Sequence, residues 1–102
     1  KLVRDAQQAA LDKMRPGLPL HEAYTLARGV FEKAGVEAYF THGLGHGVGL
    51  ETHEAPSLGR RGDKVLQEGM VVTVEPGLYY PQWSGIRWEY TVLITADGNR
   101  IL

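Results

Sequence analysis

The 102 residues amount to one domain's length, and 43% hydrophobic with 23% charged content is ordinary for a globular chain. Eleven basic residues against twelve acidic ones leave a net charge of -1, so no basic field exists to attract nucleic acid or an anionic membrane. Cysteine is absent, which excludes a disulfide framework and a thiolate metal site, and no apolar run approaches the ~18 residues of a membrane helix. This profile suits a cytoplasmic protein. The first residue is lysine. Initiator methionine is normally removed only before a small residue, so further sequence is expected upstream of Lys1.

Residues 1–15 read as a helix, because Val3, Ala6, Ala10 and Met14 recur every three to four positions. Pro16-Gly17 ends it. A second helix is expected over 20–34, with Ala23, Leu26, Ala27, Val30, Phe31 and Ala34 on one broad face. Pro19 stands near its start and Gly35 just past its end. Beyond Gly35 the pattern turns extended. Residues 55–69 read as a polar loop, and MVVTV (70–74) as an apolar strand that breaks at Pro76-Gly77. In GIRWEYTVLIT (85–95), alternation assigns Ile86, Trp88, Tyr90, Val92 and Ile94 to the core face and Arg87 and Glu89 to the other. Asp97-Gly98 is the expected hairpin turn into the last strand.

The chemistry concentrates in THGLGHGVGLETHEAP (41–56), which carries His42, His46 and His53, with glycine at 43, 45, 47 and 49. Read as extended, it places His42, Leu44, His46 and Val48 on one face and bare glycine on the other. Bare glycine signals close approach to the backbone or a sharp bend. The stretch contains neither a GxGxxG phosphate motif nor HExxH. Glu75 closes an apolar strand, where a carboxylate is either wet or partnered. Singly, each candidate has a plain structural reading: His21 as a solvated helix-start residue, Arg87 with Glu89 as a surface pair, and Trp83 and Trp88 as packing aromatics. Together, one imidazole and two strand carboxylates make a hard O/N donor set suited to Mn²⁺, Co²⁺, Fe²⁺ or Zn²⁺.

Three stretches in order, THGLGHGVGLETHEAP, EGMVVTVEPGLYY and GIRWEYTVLIT, resemble the C-terminal half of the pita-bread metallopeptidases. That group holds methionine aminopeptidases, Xaa-Pro aminopeptidases and prolidases. HGLGHGVGLETHE, EPGLYY and GIRWE lean toward the proline-peptidase branch. The resemblance implies an α+β fold, two helices packed on an antiparallel-rich sheet, with residues 1–102 forming the C-terminal part of a catalytic domain. It implies two divalent metal ions, Mn²⁺ or Co²⁺ foremost and Zn²⁺ or Fe²⁺ next. His46, Glu75 and Glu89 match the family's ligands, Glu89 as the bridge. Glu75 would also take a proton from the attacking water, and His53 would contact substrate and carry charge in the tetrahedral intermediate. His42 would line the pocket near the proline ring, and Tyr79 and Arg87 would orient a ligand.

The family's two aspartate ligands have no match here: Asp5 and Asp12 fall in the first helix, Asp63 in the loop and Asp97 at a turn. With three of five expected ligands, this chain alone is expected to be inactive. The expected substrate is a peptide with proline at its second position. Self-association or a homodimer is expected through an exposed apolar face. Alternatives are a non-catalytic binding module of the same fold and an enzyme of the methionine aminopeptidase branch.

Overall fold

The computed structural model describes residues 1–48, 57–59, 64–81 and 85–102. The first helix, α1, spans Leu2–Leu11 and turns Val3, Ala6, Gln7, Ala10 and Leu11 inward. It ends short of the expected Arg15. The side chain of Asn99 reaches across to donate to the carbonyls of Leu11 (2.8 Å) and Met14 (2.9 Å). That amide adds a second donor to Leu11 O, which also accepts from Met14 N at 3.3 Å, and ties the chain just past the helix end to the last strand. Met14 is still buried, so the apolar stripe outlasts the helix.

The second helix, α2, spans Leu20–Lys33 and ends as its sequence requires. Gly35 takes φ 73°. Its N–H donates to Glu32 O at 3.0 Å, and the N–H of Val36 donates to Phe31 O at 3.0 Å. These are the paired bonds of a Schellman cap. A 3-10 turn, Glu37–Tyr39, follows where extended chain was expected. The α1–α2 pair closes over a core containing Ala6, Ala10, Ala23, Ala27 and Phe31, each 0% exposed. Small residues on both helices let their axes approach closely.

The strands are β1 (Gly45–His46), β2 (Ser57–Leu58), β3 (Val71–Val74), β4 (Gly77–Leu78), β5 (Ile86–Arg87), β6 (Tyr90–Thr95) and β7 (Gly98–Ile101). Every strand pair among them is antiparallel. β3, β6 and β7 form one ladder, and β1 pairs with β2. The ribbon around β1 is also tied to β3. Val48 N donates to Val71 O (2.8 Å), Glu75 N to Leu44 O (2.7 Å), and Gly47 bridges Val72.

Further expectations need correction. The stretch 55–69 is not merely a polar loop: it contributes β2, and Leu58 and Leu66 are core residues. The last hairpin turns at Ala96-Asp97, since Thr95 pairs with Gly98. The 85–95 run is two strands, not one. Val92 and Ile94 are buried as expected, but Ile86 is 61% and Trp88 40% exposed. Val92 and Ile94 of β6 join the core that holds the helices' apolar faces, whereas β5 pairs only with the two-residue β4 among the described residues.

The break between the two ladders preserves register. Val74↔Tyr90 on one side and Gly77↔Arg87 on the other belong to a single antiparallel alignment. Residue 75 therefore falls opposite 89, and Pro76 opposite Trp88. Pro76 has no N–H to complete a ladder pair, which is reason enough for the regular pattern to lapse there.

The close approach expected of the glycine ribbon is present at Gly45. A Cβ built there would stand 1.9 Å from Thr73 O. Gly29, within α2, has nothing within 4 Å of such a Cβ. Gly45→Ala is expected to destabilise the fold by at least ~1–3 kcal/mol through overpacking. Gly29→Ala should stabilise it by roughly 0.5–1 kcal/mol by lowering backbone entropy. Urea midpoints moving in opposite directions check both expectations.

Candidate metal centre

The site is assembled at the seam between the glycine ribbon and β3. Thr73, 4% exposed, aims its hydroxyl at β1. The N–H of His46 donates to Thr73 Oγ1 at 3.0 Å. Together with the Glu75 N–H bond to Leu44 O, this sets His46 and Glu75 beside one another. The imidazole Nε2 of His46 lies 3.6 Å from Glu75 Oε2.

The protonation pattern of His46 follows from its other nitrogen. Nδ1 lies 3.0 Å from Gly47 O. A carbonyl only accepts, so Nδ1 carries the proton and Nε2 of the neutral ring presents a lone pair. A backbone carbonyl fixing the far nitrogen is the usual way a protein aims a metal-binding imidazole. Nε2 and a carboxylate oxygen thus face each other at 3.6 Å. Two ligand atoms at ~2.1 Å from one ion lie roughly 3–3.4 Å apart, so a small closure would let both share a divalent cation.

The carboxylate's other oxygen is occupied. Arg87 Nη1 lies 3.7 Å from Glu75 Oε1. Alternation along 85–95 had paired Arg87 with Glu89 on one face; the ion pair in the structure is with Glu75 instead. Gly77, opposite Arg87, makes room for it: a Cβ there would lie 3.2 Å from the Arg87 Cβ. Arg87 is half exposed, so the pair's contribution to stability is small, ~0–1 kcal/mol.

Glu89 is exposed. Register sets it directly opposite Glu75, an arrangement of like charges that is unfavourable unless a cation intervenes. No three His, Asp or Glu side chains are gathered as a ready ligand group among the described residues. The structure therefore brings His46 and Glu75 together and aligns Glu89 with them by register alone. The donor set, one imidazole and opposed carboxylates, fits a hard or borderline divalent ion.

A cavity of about 310 Å³ opens here, lined by His42, Gly43, Gly45, His46, Glu75 and Arg87. His42 is packed edge-on between the rings of Phe40 (5.3 Å) and Tyr79 (5.5 Å). Its Nδ1 contacts Gly43 O at 2.5 Å, and its Nε2 is buried with no hydrogen-bond partner among the described residues. His42 also lines a neighbouring cavity of about 610 Å³ with Tyr24, Arg28, Glu37 and Phe40. There Arg28 donates to the Tyr24 hydroxyl at 3.4 Å, which raises the guanidinium pKa above its ordinary value. Tyr79 packs its ring on Gly85 and against His42, and its hydroxyl bonds no carboxylate among the described residues. His53 and Trp83 lie outside the described residues.

The model of Metallopeptidase family M24 matches residues 1–96. The chain belongs to that family. It is 44% identical over 102 residues to an Xaa-Pro dipeptidase of Pyrococcus horikoshii, all of this chain and 29% of that protein. It is 45% identical over 95 residues to the Xaa-Pro dipeptidase of Lactobacillus helveticus, 93% of this chain and 26% of that one. Against the prolidase structure from Pyrococcus furiosus the TM-score is 0.92 at 45% identity, covering 98% of this chain and 30% of that one. The X-Pro aminopeptidase structure from Thermotoga maritima gives 0.92 at 39%, covering 98% and 28%. The chain thus spans under a third of the length of these relatives. Its two helices and antiparallel sheets are part of the pita-bread fold.

Sequence reading passed over Thr73 and Gln7. Each is a polar residue inside an apolar segment, MVVTV and the α1 stripe, and that anomaly was the available signal. Thr73→Val keeps the shape but leaves the part-buried His46 N–H without its acceptor. It should cost about 1–3 kcal/mol in urea unfolding, while Thr73→Ser should recover most of the loss.

Proposed function

We propose that the full-length protein hydrolyses Xaa-Pro peptide bonds, as an aminopeptidase or dipeptidase, using two divalent metal ions. The observation that carries this reading is His46 Nε2 facing Glu75 Oε2 at 3.6 Å, on the wall of an open cavity. In this reading His46, Glu75 and Glu89 supply three ligands, and segments of the full-length protein outside this chain supply the rest. Mn²⁺ or Co²⁺ is the preferred metal, with Zn²⁺ or Fe²⁺ also compatible with the donor types. When bound, the ions supply Lewis acidity and make water acidic enough to attack near neutral pH.

The chain's own residues do the rest. Arg87 holds one oxygen of Glu75, which directs the other toward His46. Glu75 is the base that takes the proton of the attacking water. His53 steadies the charge that develops on the scissile carbonyl oxygen. His42 has a buried Nε2 with no hydrogen-bond partner among the described residues, which is matched to a polar atom of the substrate beside the proline ring. Tyr79 keeps the His42 ring in place. Residues 1–102 are then the C-terminal part of the catalytic domain, working in the cytoplasm. No described helix is long and apolar enough to cross a membrane. The exposed Ile86 and Trp88 belong to an apolar face through which copies of the chain associate.

Full-length protein loaded with Mn²⁺ or Co²⁺ should cleave an Xaa-Pro dipeptide, and a chelator should abolish the activity. Glu75→Gln should lower kcat by on the order of 10²–10⁴. The isolated 102-residue chain should show no turnover, because its ligand set is incomplete. Chelator-resistant cleavage, or turnover by the isolated chain, would overturn the scheme.

A further inference from the structure

Gln7 is 3% exposed and sits in the apolar stripe of α1. Its Nε2 donates to Val74 O at 3.0 Å and to Trp88 O at 3.2 Å. These are the carbonyls that immediately precede Glu75 and Glu89. Both contacts are to carbonyls, so the amide NH₂ faces them, and its two hydrogens serve one carbonyl each.

The reason these strands need an amide lies in Pro76. Register sets Pro76 opposite Trp88, and Trp88 N does donate to Pro76 O at 3.2 Å. A hydrogen-bonded antiparallel pair exchanges two bonds. The return bond, from the N–H of residue 76 to Trp88 O, cannot form because proline has no N–H. Gln7 supplies that donor from a neighbouring helix. Arg4 stacks its guanidinium on the ring of the same Trp88, 5.0 Å from the centroid. α1 therefore grips the same point by two side chains, three residues apart on one helix face.

We propose that Gln7 is a positioning residue for the metal-binding carboxylates. It replaces the N–H missing at Pro76 and clamps the strands bearing Glu75 and Glu89 at fixed separation. The role of those two carboxylates rests on the function proposed above; the clamp itself does not. Bridging two ions demands that opposed carboxylates keep their spacing to a fraction of an ångström. A ladder interrupted by proline at that point would otherwise spread.

The test uses full-length protein with Gln7→Leu, which fills the space without donating, and the double variant Gln7→Leu/Pro76→Ala, which restores a backbone N–H at 76. In metal-free protein, hydrogen exchange of the Trp88 and Tyr90 amides should rise at least ten-fold in Gln7→Leu. Amides of β7 should be unchanged, and the double variant should regain protection. Titration with Mn²⁺ should show affinity for at least one ion at least ten-fold weaker in Gln7→Leu, with partial recovery in the double variant. For Xaa-Pro cleavage, kcat should fall while KM stays within two-fold. Unchanged exchange at Trp88 would overturn the clamp. Faster exchange with wild-type Mn²⁺ affinity would overturn the positioning role and leave only a structural one. Wild-type protein that takes up no metal would defeat the functional reading, while the exchange data would still decide the clamp. If Gln7→Leu does not fold, Gln7→Asn, which keeps the amide but shortens its reach, is put through the same measurements with the same outcomes.

Discussion

The carbonyl of Thr73 occupies the space where a side chain at residue 45 would begin. Much of the site depends on that contact. Because Gly45 has no Cβ, the ribbon lies against β3 closely enough for the His46 N–H to reach the Thr73 hydroxyl. The same approach lets Leu44 accept from Glu75 N and bury its own side chain fully. The imidazole and the carboxylate are therefore set by the hydrogen bonds of their own backbone N–H groups and not by any interaction between them. A glycine-poor ribbon would stand off from β3, and the two groups would part.

Leu44 and His46 show how much this contact alters a simple reading. Strict alternation puts them on one face, yet Leu44 is in the core and His46 is exposed. The regular strand covers only Gly45–His46, so parity has no hold on residue 44. The interrupted ladder at Pro76 behaves similarly. Hydrogen bonding lapses but register persists, and opposed carboxylates are the outcome. Irregular backbone here is what gives each functional group its aim, with ordinary structure on both sides to hold it.

The helices play a less obvious part. Their alanine-rich contact and the Schellman cap at Gly35 make a firm layer beneath the sheet. From that layer Gln7 and Arg4 reach the Trp88 segment, and Asn99 reaches back to the end of α1. Side-chain amides thus fasten helix to strand in both directions. Core packing alone would keep these elements together without specifying where, to a fraction of an ångström, the carboxylate-bearing strands stop.

The sequence by itself determined the two helices, the longer strands and the family. Local periodicity and end signals decide helices, and three ordered motifs carry membership. It also marked His46, Glu75 and Arg87, because their residue types are scarce in such apolar or glycine-rich surroundings. Only the tertiary structure decided that Arg87 holds Glu75, that Ile86 and Trp88 are exposed, that Leu58 and Leu66 belong to the core, and that Gln7 and Thr73 matter. Each of those depends on which distant segment lies alongside, and chain periodicity carries no information about that. The bond from Gln7 to Trp88 joins residues 81 positions apart, and no local pattern could have announced it.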